Sequence, residues 1–103
     1  MVCNKGREGI TGDNRAMIRK HLTFTGQVQG VGFRYRAHSI ANELGLTGYV
    51  RNEYNGTVEA EVQGTAEAIA EYIRRLQNAS YIRIEYIAEY DMPLQEETCY
   101  RIR

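Results

Sequence analysis

The chain carries no surplus of charge: 13 Lys and Arg stand against 13 Asp and Glu. Proteins that track long nucleic acid carry a basic surplus, so this balance argues against that role. No apolar run approaches the roughly 18 residues of a membrane-crossing helix, so no membrane span is expected. The first residues lack the apolar core of a signal peptide, and the expected location is the cytoplasm. Cysteine is scarce. Cys3 and Cys99 lie far apart, and no Cys-x-x-Cys spacing occurs. The expectation is two free thiols in a reducing compartment rather than a disulfide or a metal site. The single proline, Pro93, marks a break late in the chain. Internal repeats and low-complexity segments are absent.

What is present is the composition of one small domain: 103 residues, 43% hydrophobic and 25% charged. Residues 1–17 mix Gly6, Gly9 and Gly12 with charged and amide side chains and show no apolar period. They are expected to form a flexible tail, with the ordered domain spanning 18–103. Ile18, Leu22 and Phe24 share a period of two, interrupted by Lys20, which predicts a first strand. Phe33, Ala37, Ile40, Ala41 and Leu44 line one face of a helix that Gly45 is placed to end. Leu46, Gly48 and Val50 alternate as a second strand. Asn55-Gly56 signals a hairpin turn, because both residues tolerate positive φ. Val58, Ala60 and Val62 alternate with Thr57, Glu59 and Glu61, which predicts a third strand with one polar face. Thr65 is set to cap a second helix bearing Ile69, Tyr72, Ile73 and Leu76. A fourth strand is expected around Ile82, Ile84, Tyr86 and Ala88, and a short fifth around Thr98, Tyr100 and Ile102. The expected architecture is α+β: a ferredoxin-like β-α-β-β-α-β split sandwich. Its antiparallel sheet has two helices on one face and a short extra strand at the C-terminus.

The chemistry concentrates in Gly26-Gln27-Val28-Gln29-Gly30-Val31-Gly32-Phe33-Arg34. Glycines let successive backbone N–H groups converge on one point. The helix start beyond them adds unpaired N–H groups and a positive dipole end. Arg34 adds a planar fork of donors suited to phosphate oxygens. The pattern reads as an anion cradle, against the bland alternative of a tight β-to-α turn with no ligand. No lysine completes a P-loop, and Tyr35 stands where a dinucleotide fingerprint needs its third glycine. A bare phosphoryl group fits better than a nucleotide. A second element is Gly48-Tyr49-Val50-Arg51-Asn52. Its asparagine, read alone, is turn chemistry. Read functionally, its amide donates one hydrogen bond and accepts another, and so can orient a water.

The two motifs together, with Asn52 18 positions after Arg34 and followed by Asn-Gly-Thr-Val-Glu, resemble the acylphosphatase family from Ile18 to Arg103. The resemblance implies hydrolysis of the carboxyl–phosphate bond of small acyl phosphates to a carboxylate and inorganic phosphate, with no metal and no organic cofactor. It implies that the backbone of Gly26, Gln27, Val28, Gln29, Gly30 and Val31 holds the phosphoryl oxygens. It also implies that Arg34 binds the same group electrostatically and that Asn52 positions the attacking water. Gln27 and Tyr49 depart from the Arg and Trp that many relatives carry. The expected partners are the acyl phosphate and inorganic phosphate, the latter as product and competitor. No nucleic acid or membrane partner is expected, and the expected state is a monomer. Two alternatives share the fold: a non-catalytic module binding phosphate or carbamoyl phosphate, and an RNA-binding module. The second needs aromatic side chains on a central strand, and the expected third strand has none.

Overall fold

A computed structural model describes residues 16–103. The tail expected over residues 1–17 lies outside them except for its last two positions, and Met17 already opens the first strand. The elements are β1 (Met17–Gln27), α1 (Phe33–Leu44), β2 (Thr47–Asn52), β3 (Val58–Thr65), α2 (Ala66–Gln77), β4 (Arg83–Met92) and β5 (Tyr100–Ile102). One sheet holds the strands in the order β4-β1-β3-β2-β5. The first four strands pair antiparallel, whereas β5 joins β2 in parallel. β4 finishes at the end of the sheet where β2 begins, so the chain crosses that end and β5 enters in the direction of β2. The result is the expected ferredoxin-like α+β fold: four antiparallel strands, with the short extra C-terminal strand joining in parallel and making the sheet mixed. No described helix is long and apolar enough to cross a membrane.

Leu22, Phe24, Val50, Val58, Ala60 and Val62 face the helices from the sheet, and Phe33, Ala37, Ile40, Ile69, Tyr72 and Leu76 answer from the helices; all are buried. The helix ends follow the expected rules. Gly45 closes α1 at φ 73°, its N–H donating to the carbonyl of Asn42. The Thr65 hydroxyl accepts from the N–H of Ala68 at 3.1 Å at the start of α2.

Three local expectations are corrected. The alternation expected for β4 puts Tyr86 inward, yet Tyr86 is 66% exposed, and Ile84 and Ile87 are the residues packed on the core. The register with β1 shifts between Thr25 and Gly26. An extra residue there reverses which positions face inward beyond it, as a bulge does. The hairpin after β2 has positive φ only at Gly56; Asn55 instead accepts from the N–H and hydroxyl of Thr57 through its side chain. Cys99 is disulfide-bonded, against the expectation of free thiols, and the sequence's other cysteine, Cys3, lies outside the described residues. Widely separated cysteines leave no spacing signal from which pairing can be read.

The face of the sheet away from the helices is also less open than the sequence suggests. Arg19 is buried there. Its Nη2 and Nε donate to Glu61 at 2.7 and 3.0 Å, and its Nη1 donates to Glu97 at 2.7 Å. Gln95, in the crossover before β5, exchanges two hydrogen bonds with the Gln63 side chain. The crossover is thus pinned over β1 and β3. Burial alone pushes the Glu61 carboxyl up, but bonds from Arg19 and His21 outweigh it and hold the group below its ordinary 4.5. Arg19→Met is expected to cost about 3 kcal/mol, because it strands a buried carboxylate. For a domain of this size that is a fall of roughly 12–24 °C in Tm, read by thermal denaturation. The stability that Glu61 contributes is present above its unfolded pKa and lost as pH falls through its lower folded one. The acid limb of the stability profile should therefore be shallower in the variant.

Candidate functional site

The glycine motif straddles an element boundary. Gly26 and Gln27 still belong to β1, paired with Ile84 and Arg83 of β4. A Cβ on Gly26 would lie 2.3 Å from the Arg83 carbonyl oxygen, so the approach of β4 at the bulge requires glycine there. The loop proper runs over 28–32. Val28 is fully buried and Val31 packs on the core from a partly buried position, so the ends of the loop are anchored. Gly30 and Gly32 take φ 75° and 77°, and a Cβ at either would meet nothing within 4 Å. Backbone conformation, not crowding, selects glycine at these two positions. Their outer side is open.

Gly32 is also the N-cap of α1. It brings no side chain to cap the helix, and the first turn carries no acidic residue. Apart from a carbonyl–amide bond from Arg36 N–H to Gly32 at 3.0 Å, the opening of the helix is left to face the loop. That leaves first-turn N–H groups and the positive end of the helix dipole beside the glycines, an arrangement suited to an anion. Arg34 stands in this turn, half-buried, and its Nη1 donates to the Arg103 carbonyl oxygen at 3.3 Å.

Asn52 is the last residue of β2, exposed and paired with Val58. Two links bring it to the same end of the sheet as the loop. The Gln29 side chain reaches from the loop to the carbonyls of Glu53 and Thr57, at 2.7 and 2.8 Å, just beyond the Asn52–Val58 pair. On the other side, Arg103 carries the Arg34 contact and donates its N–H to Val50 at 2.8 Å. The loop, the first turn of α1 and the end of β2 therefore converge. Sequence reasoning gave Gln29 only a backbone role and did not single out Arg103. A glutamine in a loop has no pattern that announces its side-chain partners.

The titratable neighbours are committed elsewhere. Glu53 accepts from Arg51 Nε at 2.8 Å, and that arginine holds its carboxyl below the usual range. His38 lies 3.4 Å from the Asn42 amide, its ring 6.1 Å from that of Tyr100. Tyr49, which departs from the Trp of many relatives, lies buried on the face of β2 away from the helices. Its hydroxyl donates to Glu61 at 3.2 Å, the Arg103 guanidinium lies 4.1 Å from its ring centre, and burial next to Glu61 pushes its pKa up to about 12. Among the described residues, no three His, Cys, Asp or Glu side chains converge as a metal site requires.

A curated acylphosphatase from Bifidobacterium longum is 41% identical over 83 residues, which is 80% of this chain and 86% of that protein. The structure of an acylphosphatase from Coxiella burnetii superposes with a TM-score of 0.79 at 28% identity, covering 84% of this chain and 93% of that one. Full-length HypF, solved in a phosphate- and nucleotide-bound form, matches with a TM-score of 0.78 at 26% identity, over 89% of this chain but 12% of its own. The acylphosphatase family model matches residues 20–102, from within β1 to the end of β5. Loop, helix start and β2 end all lie inside that match, and the chain belongs to the acylphosphatase family of enzymes.

Proposed function

We propose that the chain hydrolyses small acyl phosphates by direct attack of a water on a phosphoryl group held in the loop. In this reading the backbone N–H groups of Gly26–Val31, together with the first turn of α1, receive the phosphoryl oxygens. Arg34 neutralises their charge, and the Asn52 amide orients the water. The observation that carries the proposal is the uncapped start of α1 beside the open glycine loop, with Arg34 in its first turn and Asn52 brought to the same end of the sheet.

The chemistry asks little more of the protein. A carboxylate departs without needing a proton, so no strong general acid is required. Phosphoryl transfer runs through a loose transition state in most analyses, which leaves positioning and charge stabilisation as the protein's task. A neutral amide is not a strong base, and Glu53 and His38 have other partners. A phosphoryl oxygen of the substrate therefore takes the water's proton. The leaving group makes metal assistance unnecessary, and a single loop and a single arginine suit one phosphoryl group rather than a nucleotide.

The proposal includes a monomer in the cytoplasm without a nucleic-acid partner. On β3, the strand face where an RNA-binding module would stack bases, Glu59 and Glu61 lie within 3.2 Å of the His21 ring nitrogens and Glu59 pairs with Arg51. The Cys99 disulfide argues against a reducing compartment. The test is hydrolysis of benzoyl phosphate with EDTA present and inorganic phosphate as inhibitor. Undiminished turnover in EDTA and competitive inhibition are expected. No turnover at any benzoyl phosphate concentration, with inorganic phosphate still bound, would leave a binding module instead.

A further inference from the structure

We infer that Gln29 is a positioning residue: its side chain fixes the glycine loop against the β2–β3 hairpin and so sets the distance from the phosphoryl cradle to Asn52. The inference rests on the proposed roles of the loop and Asn52.

The Gln29 amide nitrogen donates to two carbonyl oxygens, of Glu53 at 2.7 Å and of Thr57 at 2.8 Å. Both partners only accept, so the orientation of the amide is dictated by them. The two carbonyls belong to opposite sides of one hairpin, one step beyond the Asn52–Val58 pair that ends the ladder. Glu53 N–H donates to the same Thr57 oxygen at 2.9 Å, and Gly56 N–H returns to Glu53 at 3.2 Å. One half-buried side chain therefore joins the loop to both strands of the hairpin, directly next to Asn52.

Few side chains can do this. Asparagine is one methylene short. Glutamate would oppose two carbonyls with acceptor oxygens. Lysine or arginine would add charge at the edge of the cradle. Gln29 also lends its own backbone to the loop, so on the hairpin side the link between phosphoryl site and Asn52 runs through a single residue, while the Arg103 link on the other side holds Arg34. Hairpins move more readily than paired strands. Without the amide, the loop and Asn52 would keep their separate structures and lose their mutual register. A misplacement of about 1 Å costs on the order of 10²-fold in rate.

The test uses Gln29→Met, which keeps length and bulk and removes the donors, with Gln29→Ala as a second variant should the first not fold. In an otherwise native chain, kcat for benzoyl phosphate is expected to fall about 10- to 100-fold. The inhibition constant of inorganic phosphate, which reports the loop and Arg34, should stay within about threefold, because no direct ligand is lost. In an Asn52→Ala background the same change should cost less than about threefold more, because the group it positions is already gone. Equal losses in both backgrounds, or full kcat in both Gln29 variants, would overturn the inference while leaving the site intact. Full turnover in Asn52→Ala alone would instead remove the proposed site itself.

Discussion

Arg34→Gln should lose about 10²- to 10³-fold in kcat/KM and bind inorganic phosphate more weakly, with the thermal midpoint near that of the native chain. The loss is large because the arginine stands in the first turn of α1, where the dipole and free N–H groups already favour an anion and no side chain competes for them. In the proposed mechanism its charge acts in concert with those groups on the phosphoryl oxygens. Its own fixed contact is one 3.3 Å bond to the Arg103 carbonyl, on a partly exposed side chain, so little folding energy is at stake. Arg34→Lys should recover only a small part of the rate. An ammonium restores the charge, but not the planar pair of donors that matches two phosphoryl oxygens, nor the remaining donor that reaches Arg103. Steady-state kinetics on the two variants, with phosphate inhibition measured alongside, check both statements. Equal phosphate affinity in Arg34→Gln and the native chain would remove Arg34 from the anion site.

The parts of the fold that depend on local chemistry were legible in the sequence. The bounds of α1 follow from its apolar spacing and Gly45, and the start of α2 from Thr65. The frame of strands and helices follows from two simple periods. What escaped depends on partners distant in the chain. Tyr86 reads as a core residue until the bulge opposite Gly26 shifts the phase of β4. Glu61 reads as solvated until Arg19 and the crossover close over it, and no local pattern marks Arg19 itself as buried. The direction of β5 depends on where β4 ends in space, which no period encodes. Cys99 belongs to the same class, since nothing around it in the sequence marks it as bonded.

The candidate site divides along the same line. Gly26 to Arg34 can be read as an anion cradle because glycine content and a helix start are local features. Yet the glycines turn out to serve different ends. Gly26 makes room for β4, and Gly30 and Gly32 shape the loop. Asn52 gains meaning only from its spacing to Arg34 within a resembling family. Gln29, the residue that joins the two motifs in space, could not be read as such at all, because both of its partners are backbone carbonyls and backbone carbonyls have no sequence signature.

Asn52→Ala carries the second large effect. The amide is exposed at the end of a strand whose ladder is backbone-bonded, so its removal should leave the fold unchanged. It should also leave the loop, the helix start and Arg34 in place, and with them the affinity for phosphate. In the proposed mechanism it removes the group that aims the water, and an attacking water free to tumble costs on the order of 10²-fold or more in rate. Binding and turnover should therefore separate in this one variant. The decisive measurement is the pair of constants taken together on purified Asn52→Ala: kcat for benzoyl phosphate and the competitive inhibition constant of inorganic phosphate. The account predicts kcat lower by about 10²-fold or more with the inhibition constant within about threefold of native. A native kcat, or a loss of phosphate affinity as large as the loss of rate, would contradict it.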